Sequence, residues 1–125
     1  MELLFESTEA FERDLAALSD TDREKLIEAI NRQCPLLACD QQIFFSRLYQ
    51  PRAVRLRHDC CSSLSVMPVD DEQAIILTVD DDPIFGQMII TLLRIVPAAK
   101  VETAYDRMAA ALYGRGLQEG EGERG

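Results

Sequence analysis

The run Met88–Val96 (MIITLLRIV), interrupted only by Thr91 and Arg94 and bounded by Gly86 and Pro97, narrows most sharply what this chain can fold into. A strand with one wet face alternates apolar and polar residues. One that is apolar at both parities has to be covered on both faces over much of its length. The run therefore predicts a central strand, closed by Pro97. It also sets a problem for Arg94, because an unpaired buried guanidinium is costly. That side chain must emerge at an open face or meet a carboxylate.

Elements that could cover such a strand lie on either side of it. Leu3, Leu4 and Phe5 read as an opening strand. Ser7 or Thr8 can cap a helix, with Glu9 and Glu12 well placed in its first turns. Phe11, Leu15 and Leu18 share one face of that helix. Ser19-Asp20 breaks and recaps the chain, and Leu26, Ile27 and Ile30 mark the inner side of a second helix that should end before Pro35. The short link implies an αα-hairpin, and neither helix would persist alone at such a length. Residues 43–49 and 53–57 read as extended, separated by a turn at Pro51. Further strands are expected from Ser63 to Val69 and from Ala74 to Val79. Asp80-Asp81-Asp82-Pro83 and Gly86 mark a turn before the central strand. A last helix follows Pro97, with Val101, Tyr105, Met108 and Leu112 along one side. The expectation is an α+β fold in one compact domain, residues 1–113: an N-terminal αα-hairpin and a C-terminal helix packed on a twisted antiparallel sheet. A Gly/Glu-rich tail, residues 114–125, has no apolar period and is expected to be flexible.

The chain has 125 residues and a net charge of −9, unevenly spread. Residues 1–31 carry a net −6, whereas residues 32–66 carry +3. Such a balance repels nucleic acid at long range, except at the patch of Arg47, Arg52, Arg55 and Arg57, where RNA, a ribosome or an acidic protein face could dock. No stretch is long and apolar enough to span a membrane. The acidic N-terminus lacks the positive charge of a secretory signal, which makes the cytoplasm the default compartment and reduced thiols the expected state of Cys34, Cys39, Cys60 and Cys61.

Arg55 and Arg57 alternate on a plausible strand, so both guanidinium groups share one face. They could clamp a phosphate or form ion pairs with the surrounding acids. His58 could move a proton near neutral pH, although it points to the opposite face of an undistorted strand. His58 and Cys60 can share a face and could ligate heme, but no CxxCH attachment site occurs. Cys34-x4-Cys39 lacks tight zinc spacing, and the bland alternative makes the cysteines small core residues. The triple acid at 80–82 has no EF-hand spacing after it, so a polar turn is the simpler account. No metal and no cofactor is expected from any motif.

The order of elements, carried by FESTEAFERDLAAL, AVRLRHDCCSSLSVMPVDD and AIILTVDDDPIFGQMIITLLRIV with AYDRM after it, resembles the RelE/ParE superfamily of toxins from bacterial toxin–antitoxin pairs. The resemblance covers about residues 2–113. It implies a helical hairpin packed on a curved antiparallel sheet, ribosome-dependent messenger RNA cleavage or gyrase inhibition as the activity, and an antitoxin chain wrapped around the domain. It points to Arg55, Arg57 and Arg94 on strands, with Tyr105 or His58 for proton transfer. The acidic charge departs from the basic character of such ribonucleases. The expectation is thus a macromolecule-binding relative whose ribonuclease chemistry is lost or altered, partnered by an antitoxin-like chain or a second copy. The alternatives are an active messenger RNA endoribonuclease and a small heme- or cofactor-binding module.

Overall fold

A computed structural model describes residues 2–51, 64–82 and 84–113. Strand β1 (Glu2–Ser7) leads into four helices: α1 (Glu9–Ala17), α2 (Asp20–Gln33), α3 (Leu36–Cys39) and α4 (Gln41–Ser46). Strands β2 (Leu64–Pro68), β3 (Gln73–Asp82) and β4 (Gln87–Pro97) follow. A single 3-10 turn (Ala98–Lys100) then opens α5 (Val101–Tyr113).

The fold is mixed α+β around a four-stranded sheet in the order β1-β4-β3-β2. The expected wholly antiparallel sheet is corrected here: β1 runs parallel to β4, while β4–β3 and β3–β2 are antiparallel. The reason is chain reversal. Helices α1–α4 and two hairpin-like strand returns intervene before the chain comes back beside β1, and β4 arrives in the same direction. As the apolar run required, β4 is central.

Each face of the sheet buries its own core. Phe11, Leu26, Cys34, Leu37 and Phe44 from the helical segment pack on Met67, Ile75, Leu77, Met88, Ile90, Leu92 and Ile95. On the opposite face, Val101, Tyr105 and Ala109 of α5 pack on Leu64, Val66, Ala74, Ile76, Leu93 and Val96. Three layers result, helices over sheet over helix, and removal of these apolar surfaces from water supplies the main favourable term for folding.

The segment 43–49, expected to be extended, is instead helical through Ser46, with only an isolated bridge from Tyr49 to Val66. Asp40 decides this locally. Its carboxylate accepts from the Ile43 amide at 3.3 Å and starts α4, overriding the strand preference of Ile43, Phe44 and Phe45. The Asp80–Asp82 acids end β3 rather than forming the turn, which comes at 84–86. There Gly86 takes φ of 64°, a conformation that side chains with a Cβ rarely adopt. Residues 53–57 lie outside the described residues.

Candidate functional site

A break in strand alternation positions Arg94. Along β4, Met88, Ile90 and Leu92 face the helical layer opposite Asp81, Val79 and Leu77. Strict alternation would send Arg94 into that same core. Instead Ile76 pairs with Arg94 and Leu77 with Leu92, so Leu93 is an extra residue and the strand bulges. The bulge resets the parity: Ile95 takes the core position facing α1–α4, Val96 faces α5, and Arg94 is left half-buried at the rim.

The bulge coincides with the end of β1, whose pairing with β4 stops at Ser7↔Leu92. Beyond that point α1 takes over the exposed edge of β4. The Thr8 hydroxyl donates to the Leu93 carbonyl at 2.9 Å and accepts from the Phe11 amide at 3.1 Å. One turn further on, Asp14 accepts from Arg94 Nε at 2.6 Å, from Arg94 Nη2 at 3.1 Å and from the Ile95 amide at 3.0 Å. The hydrogen bond to Asp14 raises the Arg94 pKa above its already high ordinary value, so the guanidinium is charged throughout the usual pH range. Both ways open to this arginine are realised: it pairs with a carboxylate, and its side chain stays partly exposed at the rim.

Asp14 holds Arg94 by the edge formed by Nε and Nη2, which leaves Nη1 available. Arg94 lines a cleft of about 460 Å³ between the end of β4 and α5. Lys100, Thr103 and Arg107 add polar groups to it, and Val96, Pro97, Ala104 and Met108 supply an apolar wall. Lys100 and Arg107 make no ion pair among the described residues, whereas Arg13, Arg23 and Arg32 each pair with an acid on their own helix. The cleft therefore carries two positive charges that make no ion pair among the described residues, within a chain of net charge −9.

The sequence-derived candidates are not gathered in one place. Arg94 lines the cleft, but Tyr105 points the other way from α5 and is fully buried, its hydroxyl donating to the Leu64 carbonyl at 2.7 Å. Arg47 is exposed at the end of α4. Arg52, Arg55, Arg57, His58, Cys60 and Cys61 lie outside the described residues. Lys100 and Arg107 carry no motif signal of their own, although the spacing Lys100, Thr103, Ala104, Arg107 marks one stripe beside the inward stripe Val101, Tyr105, Met108.

Chemistry at the remaining groups is limited. Cys34 is completely buried, and desolvation pushes its thiol up to about 11, so it stays protonated and unreactive near neutral pH. Cys39 is exposed. Among the described residues no three of His, Cys, Asp and Glu come together as a metal site, and no helix is long and apolar enough to cross a membrane. No protein-family model, curated protein or solved structure matches the chain.

Proposed function

We propose that this protein is a non-catalytic, macromolecule-binding relative of the RelE/ParE toxins, with its ribonuclease chemistry lost or altered. The observation that carries this reading is the placement of α5. Ribonucleases of that superfamily use strand cations with a Tyr or His near the sheet surface. Here α5 covers the second sheet face, and Tyr105 is sealed beneath it against the Leu64 carbonyl. A buried phenol already donating its proton cannot act on RNA in solution. The order strand, four helices, three further strands and helix, with α1 and α2 directly after the first strand, supports the kinship, as does the helical layer packed on the sheet. Three large apolar side chains exposed within a short stretch, Ile43, Phe45 and Tyr49, favour a protein partner of the antitoxin kind.

The test is incubation of the purified chain with translating ribosomes, followed by mapping of messenger RNA ends. Intact message is expected, together with co-purification of one small protein chain in fixed stoichiometry. Cleavage that disappears in Arg57→Ala would sink this reading and establish the active endoribonuclease instead.

A further inference from the structure

We propose that the cleft between the end of β4 and α5 binds a small phosphomonoester, a role independent of the partner surface argued above. Three features select this ligand. The first is charge. Asp14 balances Arg94, which leaves Lys100 and Arg107 to be matched, and a phosphomonoester near neutral pH brings close to two negative charges. The second is preorganisation. Arg94 is tied at one edge by Asp14 at 2.6 and 3.1 Å, and its remaining donors stay in a fixed plane suited to phosphate oxygens. Thr103 adds a hydroxyl to the same lining. The third is shape. A volume of about 460 Å³ lies within the range of small-molecule sites, and the wall of Val96, Pro97, Ala104 and Met108 can hold an organic body next to the cationic end.

A long polyanion fits this site less well. A nucleic acid following its backbone past the cleft would meet the field of a chain with 22 acids against 13 bases. A small ester brings its charge only to the cations.

Titration calorimetry on the full chain tests the proposal, with phenyl phosphate as the probe and benzenesulfonate as its singly charged counterpart of similar shape. Phenyl phosphate should bind more tightly than benzenesulfonate, and more tightly than inorganic phosphate, which lacks the apolar body. The variant Lys100→Gln/Arg107→Gln changes two exposed side chains that make no ion pair among the described residues, so its circular dichroism and melting should match the parent. Its affinity for phenyl phosphate should fall by about tenfold or more, the loss expected for charge-assisted hydrogen bonds. Equal binding by parent and variant, or no binding of phenyl phosphate at millimolar concentration, would overturn the proposal. So would a single-stranded RNA or an acidic peptide that binds in preference to phenyl phosphate and is lost in the variant.

Discussion

Asp14 accepts three hydrogen bonds where β1 ends, and the three are not equivalent. Two come from Arg94, whose side chain is 40% exposed, while the third comes from the Ile95 amide, which has lost its sheet neighbour at that point. Asp14 itself is 20% exposed. Arg94→Ala leaves the carboxylate bonded to an amide and near water, and should cost about 1 kcal/mol. Asp14→Ala leaves both a half-buried guanidinium and an edge amide without their acceptor, and should cost about 2–3 kcal/mol. Urea unfolding of the two variants measures the order, and a larger loss for Arg94→Ala would show that the amide contact contributes little. That Arg94 must reach an open face or a carboxylate was legible, since a charge inside an apolar strand has few stable outcomes. The partner was not legible. Asp14 stands 80 residues away on a helix whose own face pattern gives it no special role.

At the scale of elements, Thr8 joins three of them. Its backbone amide continues the β1–β4 ladder to Leu92, its hydroxyl oxygen caps α1, and its hydroxyl proton satisfies the bulged Leu93 carbonyl. Thr8→Val preserves shape and strand preference but removes both side-chain bonds, and should cost about 2 kcal/mol. Thr8→Ser keeps both bonds and should remain near the parent. Ser19→Ala loses only the exposed cap to Asp22, so about 1 kcal/mol is expected. Thermal melts of the three variants give the ranking; a Thr8→Val loss no larger than that of Ser19→Ala would remove the bulge from the account. A cap at Ser7 or Thr8 could be read from the acids after it, but neither the choice of Thr8 nor the bulge could. The letters LLRIV set Arg94 among apolar residues in either register, and only the pairing with Ile76 and Leu77 fixes which residue is extra. The helix at 41–46 was missed for a related reason. Ile43, Phe44 and Phe45 favour strands in isolation, yet only Phe44 is buried, and an Asp40 cap decides the backbone. The parallel strand β1 likewise depended on where four helices return the chain.

For the molecule as a whole, two electrostatic terms of opposite sign should separate on adding salt. A chain of net charge −9 repels itself when compact, and 9 acids against 3 bases fall within residues 1–31 alone. Screening relieves that repulsion. Raising sodium chloride from about 0.02 M to about 0.5 M shortens the screening length from about 20 Å to about 4 Å, and should raise the melting temperature by a few degrees. The short, partly buried Asp14–Arg94 contact is screened far less and should not reverse the trend. Binding at the Arg94–Lys100–Arg107 cleft depends on attraction between exposed charges, so phenyl phosphate affinity should fall over the same range. Differential scanning calorimetry and titration calorimetry on one preparation read the two effects side by side. A melting temperature that falls with salt would mean that attractive pairs, not net repulsion, dominate the folded state. The cationic cleft would then have to be regarded as one part of a compensated surface rather than as an isolated site on an acidic body.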